Sequence, residues 1–186
     1  EMGKQYGALE PEHVAFIERQ KLFFVGTATD ESRINISPKG MDSLRIVGKN
    51  RVMWLNVTGS GNETAAHVQI DPRMTVMFCA FEGNPLILRL YGKACVIHRN
   101  DEEWEECYSL FNPLPGARQI FDLSVEMVQT SCGMGVPFFA YERERDQLNE
   151  WAGKKGEEGI GRYWEERNRF SIDGLPTGIV EKNLEP

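Results

Sequence analysis

The stretch from Leu22 to Val57, LFFVGTATDESRINISPKGMDSLRIVGKNRVMWLNV, reads as four β-strands in succession. Leu22 to Thr29 is rich in β-branched and aromatic residues, Asp30-Glu31-Ser32 is a polar turn, and Arg33 to Ser37 alternates in polarity, which together predict a hairpin. Pro38-Lys39-Gly40 breaks the second strand. Leu44 to Val47 is a short third, Gly48-Lys49-Asn50 turns the chain, and Arg51 to Val57 is the fourth. Four strands packed so closely in sequence predict a β core.

Ser60-Gly61-Asn62-Glu63 then matches a capping box, with the serine oxygen on the amide three residues on and the glutamate reaching back. A helix is expected from there through Ala65, Ala66 and Val68 to Asp71-Pro72. Met74 to Phe81, Leu86 to His98 and Arg118 to Gln129 are further strands, the second long enough to bend at Gly92. Helical spacing recurs from Pro11 to Lys21 through Val14 and Ile17, and after Asn100 through Trp104, Cys107, Tyr108 and Phe111. Glu142 to Arg169 carries eight acidic and seven basic residues around the sparse anchors Leu148, Trp151 and Trp164, which predicts a helical tail that is solvated or faces a partner. The expected fold is mainly β with α: a closed or partly closed antiparallel barrel of six or seven strands, since closure removes exposed edges. Residues 1–140 are expected to form this domain with its N-terminal helix. Residues 141–186 are expected to be a charged helical C-terminal extension packed on the barrel or a dimer partner.

The 186 residues suit one domain with an appended segment, at about 150 residues per domain. Leu, Ile, Val and Phe fill 46 positions, above the roughly one-fifth share below which disorder is expected, so a packed core should form. Twenty-one Lys and Arg against 28 Asp and Glu give a net charge of −7, which disfavours bulk attraction to nucleic acid or anionic lipid. No apolar run approaches the roughly 20 residues of a membrane helix, and Glu1 to Gln20 lacks the basic-then-apolar order of a signal peptide. Cys79, Cys95, Cys107 and Cys132 are widely separated and His13, His67 and His98 do not cluster. Neither a metal site nor a disulfide framework is expected, and the chain reads as cytoplasmic.

Chemistry concentrates between Trp54 and His67, where an apolar strand runs into Gly59-Ser60-Gly61-Asn62 and a helix start. Free amides there, with two glycines permitting close approach, form an anion site suited to a cofactor phosphate; the competing reading is an ordinary turn filled by its own Ser60 and Glu63. Ser37-Pro38-Lys39-Gly40 offers a cation that would neutralise the same phosphate or hydrogen-bond a heterocycle, or else is a solvated turn lysine. Arg89, inside the apolar run Leu86 to Leu90, needs a partner: Glu82, Glu126, a ligand or a second subunit. No Ser-His-Asp set, Walker loop or dinucleotide fingerprint stands out.

The order of these parts resembles the pyridoxamine 5′-phosphate oxidase-like family of FMN-binding split barrels. The resemblance rests on Phe24 to Ala28, Arg33 to Gly40, Val52 to Asn56, Ser60 to Glu63, Asp71-Pro72-Arg73 and Arg89 to Ala94, so it spans Leu22 to Arg99. It implies a homodimer with cofactor pockets at the subunit interface. It also implies flavin mononucleotide (FMN) contacts from Lys39, Trp54, Leu55, Asn56, Ser60, Gly61 and Asn62, with Ser37 beside Lys39 and with Arg89 near the ring. The oxidase's Ser-Arg-Lys at the helix start is here Ser60-Gly61-Asn62, which removes about two charge-assisted phosphate contacts of ~1.5–3 kcal/mol each. Its C-terminal arginine and histidine signature for pyridoxal phosphate is not found. A closer likeness is to small split-barrel proteins carrying Ile36 to Gly40, Gly61 to His67 and Ser131 to Pro137. The expectation is an FMN-dependent oxidoreductase of a small molecule, with no metal, nucleic acid or membrane partner. The alternatives are a deazaflavin enzyme, or a non-catalytic dimeric module that binds flavin, haem or another planar ligand, or none.

Overall fold

The computed structural model of the chain describes residues 3–184. Its eight strands are β1 (Lys4–Tyr6), β2 (Phe23–Thr27), β3 (Asn35–Lys39), β4 (Leu44–Gly48), β5 (Arg51–Val57), β6 (Arg73–Cys79), β7 (Ile87–His98) and β8 (Ala117–Ser131). They form one antiparallel sheet in the order β3-β2-β6-β7-β8-β5-β4. The long β8 pairs with β7 along one edge and with β5 and then β1 along the other. The count is one above the upper expectation, because β1 is a three-residue strand with no apolar alternation to announce it.

The sheet curls into a split barrel: β3 and β4 end the ladder without pairing to each other, and the turn Gly40 to Ser43 spans the gap. Pro38 does not break β3. It lies inside the strand opposite Phe24, which is allowed because β3 is an edge strand and one of its edges has no neighbouring strand to receive a donor. Two consecutive non-glycine residues, Met41 (φ 63°) and Asp42 (φ 53°), turn the chain left-handed at the split. Arg45 clamps that turn by donating to the Asp42 carbonyl and carboxylate, and Ser43 Oγ donates to the Gly40 carbonyl.

Alternate residues of the strands point inward to one core in which Val25, Val52, Trp54, Val76, Leu88, Leu90, Phe121 and Leu123 are fully buried. Trp54 stacks on Phe121 with centroids 4.4 Å apart. β7 bends where expected: the register shifts between Tyr91 and Gly92, and a Cβ on Gly92 would lie 1.9 Å from the Ser124 carbonyl oxygen. Four short or medium helices flank the barrel: α1 (Pro11–Arg19), α2 (Glu63–Ile70), α3 (Trp104–Tyr108) and α4 (Gln147–Tyr163). A π-helical turn (Trp164–Asn168) and α5 (Ile179–Asn183) follow.

The C-terminal segment is less solvated than its charge suggests. Ala152, Ile160, Trp164, Ile179 and Val180 form a buried cluster of their own, and Trp164 Nε1 donates to Thr58 Oγ1 at the end of β5. The charges line the outer side of an amphipathic α4, which breaks at Gly156 (φ 64°).

Candidate functional site

A cavity of about 420 Å³ opens beside the split. Period-two alternation along β3 turns Asn35, Ser37 and Lys39 to it, β5 contributes Leu55 and Asn56, and the loop Thr58 to Asn62 with the start of α2 forms a wall. Arg118, second residue of β8, closes the back, with Leu114 and Leu148 as apolar lining.

Seven of the nine residues singled out from the sequence meet here: Ser37, Lys39, Leu55, Asn56, Ser60, Gly61 and Asn62. Trp54 does not line the cavity. It faces the core on the other side of β5, and its ring lies 5.1 Å from Lys39 Nζ, so it supports the lysine. Arg89 lies outside this cavity as well. Leu88 and Leu90 take the inward positions of β7, so Arg89 faces outward and donates to Ser131 Oγ, while Glu126 pairs with Lys93.

The expected capping box is not formed. Asn62, not Ser60, is the N-cap of α2, and no side chain caps it. Glu63 turns away to accept a hydrogen bond from the Ile172 amide. Asn62 is itself buried, with neither Oδ1 nor Nδ2 partnered, and Ser37 Oγ is likewise buried and unpaired. The helix start thus keeps its positive end open.

Arg118 is the residue that sequence reasoning missed. It is 3% exposed. One terminal nitrogen donates to the Gly61 carbonyl (2.8 Å), the other to Asn168 Oδ1 (2.7 Å), and Nε has no partner. Among the described residues no carboxylate pairs with Arg118 or with Lys39. Burial pushes the Arg118 guanidinium down to about 9. Burial first, and then the charge of Arg118, push the Lys39 ammonium from 10.5 to about 8. Both remain cationic at neutral pH. Two withdrawn cations without a counter-charge cost stability, and an anion between them offsets that cost.

The donor set therefore fits a terminal phosphate: two cations, an uncapped helix start, and orphaned Asn62 and Ser37 groups around one cavity. Glu63 is the one carboxylate among its described lining residues, and one of its two oxygens accepts from the Ile172 amide. The arrangement can hold an anion.

The sequence profile of the pyridoxamine 5′-phosphate oxidase family matches residues 9–132. The chain belongs to that family. A relative, the pyridoxamine 5′-phosphate oxidase family protein ustO of Aspergillus flavus, is 35% identical over 178 residues, which cover 85% of this chain and 71% of that protein. Among solved structures, a candidate pyridoxamine 5′-phosphate oxidase from Lactobacillus delbrueckii superposes with a TM-score of 0.54 at 18% identity, covering 69% of this chain and 98% of the other. HupZ of Group A Streptococcus gives 0.52 at 17%, covering 72% and 99%. At these identities the two structures establish the split-barrel fold that the family member shares with them, and nothing about its ligand. No helix among the described residues is long and apolar enough to cross a membrane.

Proposed function

We propose that this family member is an FMN-binding oxidoreductase acting on a small molecule. The observation that carries the reading is the pair of cations without a carboxylate partner, Lys39 and Arg118, beside the open start of α2. Arg118 supplies from β8 a positive charge of the kind that the family's oxidase keeps at the helix start and that Gly61 and Asn62 lack.

In this reading Lys39, Arg118 and the amides from Ser60 to Asn62 grip the phosphate. Leu55 and Leu114 offer apolar contact to the ring, and Asn56, whose amide donates to Gln119 Oε1 at 3.0 Å, presents a fixed polar edge. When bound, the flavin supplies the two-electron redox chemistry; the protein supplies binding, orientation and charge. Arg89 has no part in this pocket within one chain.

We further infer a homodimer. On the outer face of β2, β3, β6 and β7, Ile34 and Ile36 are 76% and 69% exposed beside Phe24, Met77 and Tyr91. Such a face, which includes the strand β3 that also lines the cavity, suits a second copy, which would complete the site. All four cysteines are free, in keeping with a reducing, cytoplasmic setting.

One observation favours a second reading, a non-catalytic carrier of flavin or another planar ligand: Glu63, the one carboxylate among the described lining residues, is held by the Ile172 amide through one oxygen. The visible absorption of the purified protein, titration with FMN and riboflavin, and turnover of reduced nicotinamide separate these readings. A yellow protein that prefers FMN to riboflavin and oxidises the nicotinamide is expected. FMN preference without turnover selects the carrier, a haem or deazaflavin spectrum replaces the cofactor, and a colourless protein silent to FMN in calorimetry overturns the proposal.

A further inference from the structure

The π-helical turn Trp164–Asn168 is tied to both walls of the phosphate end of the cavity. Asn168 is fully buried. Its Oδ1 accepts from Arg118 (2.7 Å), its Nδ2 donates to the Gly59 carbonyl (3.1 Å), and its backbone carbonyl accepts from Thr177 Oγ1 (2.6 Å). Four residues earlier, Trp164 Nε1 donates to Thr58 Oγ1, which in turn donates to the Gly116 carbonyl, so the loop before α2 and the entry to β8 are joined through the same turn. Single π-turns inside α-helices are rare and concentrate at functional sites, and this one continues α4 directly.

The chemistry of the Asn168 contact is specific. A buried arginine is usually oriented by a carboxylate, which also cancels its charge. Arg118 is instead oriented by two neutral acceptors, Gly61 O and Asn168 Oδ1, so its planar fork is held in place and its charge stays available. The amide of Asn168 serves both sides: it accepts from the cation and donates to the loop whose backbone forms the helix start. A carboxylate at 168 would keep the first contact, cancel the charge and lose the second.

We propose that Asn168 is the positioning residue for Arg118, and that through it the C-terminal segment sets the preference of the cavity for a phosphorylated over an unphosphorylated flavin. This rests on the FMN reading above and deepens it.

The test compares FMN with riboflavin, measured by quenching of flavin fluorescence, in the full chain and in Asn168→Asp and Asn168→Ala. FMN affinity is expected to fall about 10- to 100-fold in both, the loss of one charge-assisted contact, while riboflavin affinity stays within about threefold. Retained riboflavin binding also reports an intact fold. In the unaltered protein, amide-exchange protection of residues 164–177 should rise with FMN or inorganic phosphate and not with riboflavin, a readout that needs no variant. A wild-type preference for FMN that survives both substitutions, or protection that responds equally to riboflavin, overturns the role of Asn168 alone. A wild-type protein indifferent to the phosphate overturns the FMN reading and this inference together.

Discussion

Replacing Arg118 by methionine removes the least exposed cation of the cavity while keeping an unbranched side chain that fills the space of its stem. In the ligand-free protein two effects oppose each other. The Gly61 carbonyl and Asn168 Oδ1 lose their donor, at about 1–3 kcal/mol for each group left buried and unpaired. Against that, a cation held away from water without a carboxylate partner is no longer present, a relief of several kcal/mol in order of magnitude. Stability should therefore change little, by about 2 kcal/mol or less in either direction. With FMN the effects no longer oppose: the phosphate loses a charge-assisted hydrogen bond of about 1.5–3 kcal/mol, which is roughly a 10- to 150-fold weaker affinity. Riboflavin, without a phosphate, should bind the variant and the wild type alike within about threefold. Flavin fluorescence titration at fixed ionic strength, with urea unfolding alongside, gives both quantities. A second signature lies in pH. Arg118 is the second cause, after burial, of the drop in the Lys39 pKa to about 8, so its removal should raise the pH at which FMN affinity declines. A folded Arg118→Met protein whose FMN affinity stays within threefold of wild type would refute the reasoning.

Lys39 makes a separate prediction about stability. Its folded pKa of about 8 lies below its ordinary 10.5, so between those values the unfolded chain holds a proton that the native state has released, and ligand-free stability gains a contribution that grows with rising pH. Urea midpoints from about pH 8 to 9, below most of the range in which Arg118 adds a rise of the same sign, should climb more steeply in wild type than in Lys39→Met; parallel curves would count against the buried lysine. FMN affinity should move the opposite way, weakening above about pH 8 as the ammonium is lost. Gly92→Ala sets a Cβ 1.9 Å from the Ser124 carbonyl oxygen, and should destabilise the barrel by at least the ~1–3 kcal/mol of an overpacked core; an unchanged unfolding midpoint would mean the bulge can open. Thr58→Val leaves the buried Trp164 indole N–H without an acceptor, costing about 1–3 kcal/mol, and should raise hydrogen exchange in residues 164–177 before the barrel itself responds.

Much of the barrel was readable along the chain. Arg51–Val57 coincides with its expected bounds, the hairpin of β2 and β3 was visible as a β-branched, aromatic run and an alternating run about a polar turn, and Gly92 was the one place where a long strand had to bend. These features are local: they follow from side chains alternating across a strand and from steric limits at single residues. The errors were also local rules overruled by contacts from elsewhere. Ser60 and Glu63 have the spacing of a capping box, yet the Ile172 amide, 109 residues on, takes the glutamate. Pro38 looks like a strand breaker until β3 is known to lie at the edge. Arg89 sits in an apolar run, but only its neighbours' register shows that it faces outward.

The amino-acid sequence by itself determined the β character, the succession of strands along the chain, the glycine-bearing loop before α2 and the lysine of β3, because each depends on residues within a few positions of one another. Which groups share a cavity was decided only by the tertiary structure. Arg118 and Gly61 are 57 residues apart and Arg118 and Asn168 are 50 apart, and no periodicity encodes those encounters. Burial then determines what the assembled groups can do, since a lysine and an arginine can act as an anion site only after the fold has withdrawn them from water with no carboxylate paired to either.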